Sequence, residues 1–247
     1  MPRHPLGSSV SYAFGPGPIT PAVKWIILTN TVVFLVTLAA PRLVLVFGMR
    51  PADVLQQYFL WQLATYMFLH GDFFHILFNM LTVWMFGVEL ERMWGSRFFV
   101  RYYFITGIGA ALTTLAVSLV PYAGFAGIYE STTIGASGAV YGILMAFALY
   151  FPNRPILMFL LFPVPAKYFV MIFGGIALLS SINQAVGGTA HAAHLGGLVF
   201  GYVYLKRGRG GMFAELRYRW IKWKMNRLRR KFDVYSGGRG SNHPRVH

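Results

Sequence analysis

The sequence predicts an all-α polytopic membrane protein with six spanning helices. Three observations carry this. Hydrophobic residues fill 56% of the 247 positions and charged residues only 12%, about half the ~25% usual in a soluble domain. The mean hydropathy is +0.53. The apolar residues gather into six runs, near 22–40, 73–90, 98–120, 134–151, 166–182 and 190–205. A spanning helix needs roughly 17–25 such residues.

Between the runs lie charged or Pro/Gly-rich joints. Residues 1–21 begin "MPRHPLGSSVSYAFGPGP", which lacks an apolar core and reads as a flexible cytoplasmic arm rather than a signal peptide. Residues 22–205 form the membrane domain. Region 152–166 is apolar but interrupted by Pro152, Pro155, Pro163 and Pro165. It is expected to be an interfacial loop, or else a lead-in to the fifth helix. Residues 206–247 hold 13 of the 22 Lys and Arg and two acids, so most of the net charge of +15 lies there. Cysteine is absent, which excludes disulfides, thiolate metal sites and cysteine nucleophiles.

Basic residues set the expected orientation. Arg92, Arg97 and Arg101 follow the second helix, Arg154 and Lys167 follow the fourth, and the basic tail follows the sixth. Those joints, and both termini, are expected in the cytoplasm of a cell with a bacterial inner membrane. The second, fourth and sixth helices then start on the outer side. Near their starts lie His75 and Asn79, Ser137, and His194. Polar groups at such depth face a bundle interior or a water-filled cavity. Gly138 with Gly142, and Gly197 with Gly201, are small-xxx-small pairs that let helices approach closely. If those faces meet, Ser137 and His194 meet as well.

A serine hydroxyl needs an adjacent base to become a nucleophile, and imidazole is the usual one. No acid lies within the last three helices, so the expectation is a Ser137–His194 dyad rather than a triad. Tyr141, one turn after Ser137, is placed to stack on the imidazole. The Ser137 N–H at a helix start, with His75 and Asn79 one turn apart, supplies donors for an oxyanion.

The stretches "HGDFFHILFNM", "ERMWGSRFFVRYYFITG", "GASGAVYG" and "AHLGGLVFG" together resemble the rhomboid intramembrane serine proteases over roughly residues 24–205. The resemblance implies a six-helix rhomboid-like bundle. In it Ser137 is the nucleophile, His194 the base and His75 with Asn79 the oxyanion pair. Tyr141 packs on the histidine, and Gly135, Gly138 and Gly197 support the site. It implies transmembrane protein substrates and no cofactor. Many family members carry Trp-Arg in the first loop, where this chain has Trp61-Gln62.

Other readings stand beside these. His70 is read as structural, and Glu91 and Arg92 as cytoplasmic structural charges. His191 and His194 at i, i+3, with His70 and His75, form a conceivable four-histidine metal site, which would suit a metal or solute carrier. A silent member that only binds membrane segments is a further alternative. The tail, with Trp220 and Trp223 among basic residues, suits an amphipathic helix on anionic lipid or a plain topology anchor better than nucleic-acid binding.

Overall fold

The computed structural model describes residues 16–121, 127–158, 162–182 and 188–208. The first fifteen residues of the N-terminal arm and the tail beyond 208 lie outside the described residues. The chain divides into two compact units between Tyr204 and Leu205. Every residue of the site discussed below belongs to the first.

Each of the six predicted segments is helical. Helix α1 spans Pro21–Ala39; its leading proline has no N–H to leave unpaired in the first turn. A first loop follows, built from α2 (Leu43–Phe47), α3 (Pro51–Gln56), α4 (Gln62–Thr65) and a 3₁₀ turn at Tyr66–Phe68. Helix α5 (Phe73–Thr82) is capped by Asp72, whose carboxylate accepts the His75 N–H at 2.9 Å, a standard way to satisfy a first-turn donor. It runs through a π-helical turn at Val83–Gly87 into α6 (Val88–Trp94). Helix α7 spans Ser96–Ser118 and α8 Ser137–Tyr150. The last two helices are α9 (Ala166–Ile182) and α10 (Gly188–Gly208).

Among the described residues, three helical stretches are long and apolar enough to cross a membrane: Pro21–Ala39, Phe73–Trp94 and Ser96–Ser118. Large apolar side chains such as Phe73, Phe74, Phe78, Met171 and Leu179 are exposed, as expected of a surface solvated by lipid. Helix α8 has only 14 residues, about 21 Å at 1.5 Å per residue. That is shorter than the roughly 30 Å hydrocarbon core.

Region 152–165 is neither a span nor part of the fifth helix, which starts at Ala166. It folds into an antiparallel hairpin, β1 (Pro155–Met158) with β2 (Phe162–Pro165), and Pro155 faces Pro165 across the ladder. The prolines account for this, since each bars helix and biases the residue before it toward extended backbone.

Helix α7 forms the core, with Phe99, Tyr102, Tyr103 and Ala110 fully buried. At the opposite end from Ser137, Glu91 accepts the Ala22 and Val23 N–H groups, each at 2.9 Å, and the Ser96 hydroxyl at 2.6 Å. Two first-turn donors of α1 are thereby satisfied. Arg92 donates to the carbonyls of Pro16 and Pro18. Both charges are structural.

Candidate active site

Ser137 is the first residue of α8. Its N–H therefore has no carbonyl one turn back to bond. The chain reaches it through a segment held on the first loop. Met49 and Thr133 exchange N–H···O bonds at 3.0 and 2.8 Å. The Gly135 N–H donates to the Tyr66 carbonyl at 2.9 Å. Gly135 has φ +118°, and a Cβ there would lie 2.6 Å from His75 Nε2. Only glycine meets both demands.

Helix α10 closes the site from the other side. A Cβ on Gly197 would fall 1.9 Å from the Gly138 carbonyl oxygen, and one on Gly201 would lie 3.2 Å from the Gly142 Cα. The two small-residue faces therefore meet, as their spacing predicts. This contact brings His194 Nε2 to 2.9 Å from Ser137 Oγ, across 57 residues of sequence. The Tyr141 ring lies flat on the imidazole, with centroids 4.2 Å apart and planes 9° apart.

His75 and Asn79 come from α5. The Gly71 N–H points to His75 Nδ1 at 3.4 Å, an arrangement that suits the tautomer with its proton on Nε2, the nitrogen that faces Gly135. Asn79 is buried and donates one amide N–H to the His75 carbonyl at 2.8 Å. An amide carries two such hydrogens, so one stays free for another acceptor. His70 is 3% exposed and meets the His75 ring edge-on at 4.9 Å. Burial first, then His75 beside it, pushes the His70 imidazole down to about 4.

The His191 and His194 centroids are 6.0 Å apart. Among the described residues, no three His, Asp or Glu side chains gather as a ligand set. Nor does His194 have a carboxylate hydrogen-bond partner among them; its neighbours are Ser137, Tyr141 and His191.

Three supporting residues carry no sequence signal of their role. Tyr66 is 1% exposed. Its hydroxyl donates to the Gly107 carbonyl at 2.7 Å while its own carbonyl holds Gly135. Arg50 pairs with Glu130 and with Asp53, and its Nε donates to the Glu130 carbonyl at 3.1 Å. It thereby ties the first loop to the segment that leads into Ser137. Gln62 is fully buried, accepts the Arg50 N–H at 3.1 Å and donates to the Val46 carbonyl at 3.3 Å. Trp61 donates to the same carbonyl at 3.0 Å. At Trp61-Gln62 the first loop is thus held by neutral hydrogen bonds. Only the Trp61-Gln62 departure was visible in the sequence.

Fold and site define a helical membrane protein with a serine and a histidine brought together inside the bundle. The Rhomboid domain model matches residues 57–208, well over half of the chain. The chain belongs to the rhomboid family. It is 35% identical to Rhomboid protein 1, mitochondrial, of Saccharomyces cerevisiae over 144 residues, 56% of this chain and 38% of that protein. It is 31% identical to Rhomboid protease GluP of Bacillus subtilis over 163 residues, 63% of this chain and 27% of that protein. It is 30% identical to Rhomboid protease AarA of Providencia stuartii over 155 residues, 57% of this chain and 53% of that protein. The matched part thus spans from about a quarter to about half of these relatives' length.

Proposed function

We propose that this chain is an intramembrane serine endopeptidase that cleaves peptide bonds in or next to transmembrane segments of other membrane proteins. The observation that carries this reading is the 2.9 Å separation of His194 Nε2 from Ser137 Oγ. Two relatives are named rhomboid proteases, which agrees with it.

In the proposed reaction Ser137 Oγ bonds to the scissile carbonyl carbon as His194 Nε2 takes its proton. The carbonyl electron pair moves to oxygen. Charge on that oxygen is met by the Ser137 N–H, the His75 Nε2–H and the free Asn79 N–H. The intermediate collapses, the C–N bond breaks and His194 passes its proton to the leaving amine. Water then attacks the acyl ester, His194 takes the water proton, the ester C–O bond breaks and the proton returns to Ser137 Oγ. Tyr141 holds the imidazole plane by stacking on its face, a positioning role that a triad assigns to a carboxylate at Nδ1. The mechanism uses no metal or cofactor.

A helical substrate hides its carbonyls in backbone hydrogen bonds. Segments with helix-weakening residues at the level of Ser137 are therefore the expected substrates. In this reading the site opens on the outer side of a cell membrane and both termini are cytoplasmic, and the tail lies against anionic lipid.

The test is cleavage of a transmembrane reporter by wild type, Ser137→Ala and His194→Ala with a chelator present. Cleavage by wild type alone supports the dyad. Cleavage by the alanine variants at the wild-type rate overturns it. If wild type is inactive and Ser137 fails to react with a fluorophosphonate, the chain is a silent membrane-segment binder.

A further inference from the structure

Between α1 and the first loop, an apolar groove of about 330 Å³ separates α1 from α2 and the Thr65–Leu69 turn. Val32, Val33 and Val36 form one wall, and Leu43, Phe47 and Leu69 the other. Two of its three threonines have their hydroxyls engaged elsewhere. The Thr37 hydroxyl is spent on the Phe34 carbonyl at 2.9 Å, and that of Thr65 on the Phe47 carbonyl at 2.7 Å. A polar ligand would therefore lose water contacts and gain little in return.

A flexible hydrocarbon chain can lie along α1 in such a groove without leaving a polar group unpaired. At the mouth, where α1 turns into α2, stands Arg42, the residue immediately before Leu43. Arg42 is exposed, and its guanidinium makes no ion pair or hydrogen bond with the described residues. A cation at the end of an apolar slot complements an anionic headgroup carrying an acyl chain.

We infer that the groove binds one anionic phospholipid, with an acyl chain along α1 and its phosphate on Arg42. The seated chain would brace Leu69, next in sequence to the buried His70, and Thr65, next to the Tyr66 carbonyl that holds Gly135. The binding claim stands independently of the proposed peptidase activity.

The test is photo-crosslinking of the full chain in bilayers with diazirine-tailed phosphatidylglycerol or phosphatidylcholine, with labelled residues mapped by mass spectrometry. The expected labels fall on Val33, Val36 and Phe47. Arg42→Gln should lower labelling by the anionic probe about fivefold, the effect of ~1 kcal/mol per basic residue at an anionic surface. It should leave the zwitterionic probe unchanged. Val36→Trp should reduce labelling by both probes. Arg42→Gln alters only an exposed side chain, so it remains informative if Val36→Trp does not fold. Equal labelling of Leu28, Leu35 and Leu38 on the other face of α1, or an anionic preference that survives Arg42→Gln, overturns the proposal.

Discussion

The Tyr141 ring covers one face of the His194 imidazole, nearly parallel to it at a centroid distance of 4.2 Å. The contact lies across the α8–α10 seam, so it fixes the ring plane without a hydrogen bond. Tyr141→Phe keeps the stacked face and should retain most of the wild-type kcat. Tyr141→Ala frees the ring and loses a contact worth about 0.5–1.5 kcal/mol. Its kcat should fall roughly 2–10-fold with little change in KM. Reporter kinetics on the two variants check this, and equal loss in both would assign the role to the hydroxyl instead.

Asn79 places one amide hydrogen on its own helix and keeps the second. If that second hydrogen meets the oxyanion, Asn79→Ala should lower kcat by about 10²–10³, the usual loss for one preorganised donor. Reporter binding should be nearly unchanged. A variant that binds weakly but turns over normally would place Asn79 in substrate binding.

Gly197 lies against the Gly138 carbonyl with no room for a side chain. Gly197→Ala forces α10 away from α8. Overpacking of this kind costs about 1–3 kcal/mol, and the same shift widens the Ser137–His194 gap. The expected result is a lower melting temperature in detergent together with lost cleavage. Preserved activity would mean that the dyad does not depend on this contact.

Gln62 ties Arg50 and Val46 together from a fully buried position. Gln62→Leu leaves the Arg50 N–H without its acceptor, at a cost of about 1–3 kcal/mol. Thermal unfolding and protease nicking of residues 46–62 should both show a loosened first loop. Unchanged nicking would show that Trp61 alone is sufficient.

Burial lowers the His70 imidazole from 6.5 to about 4. Folding therefore favours its neutral form, and the unfolded chain binds the extra proton first. The stability this residue carries is complete above about 6.5 and declines as pH falls toward 4. His70→Phe should flatten that part of a stability-versus-pH curve. A curve of unchanged slope would place the acid sensitivity in another group.

Much of the helical frame was legible because lipid imposes a simple rule. Long apolar runs must satisfy their backbone internally, so they become helices. All six segments were visible for that reason, and the end points differ from the expected ones by a few residues. The 152–165 hairpin was less legible. Its prolines excluded a helix, but its strand pairing depends on two short segments meeting in register, which composition does not encode.

The sequence by itself marked the helices, the two small-residue faces and the candidates Ser137, His194, His75, Asn79 and Tyr141. Those follow from local pattern, since glycine spacing and polar residues in apolar runs are visible one segment at a time. Only the tertiary structure decided that Tyr66 carries Gly135, that Arg50 reaches Glu130 and that Gln62 anchors the first loop. These contacts join residues 12 to 80 positions apart, mostly through backbone carbonyls and N–H groups. Every residue type except proline offers both groups, so no side-chain pattern can announce them.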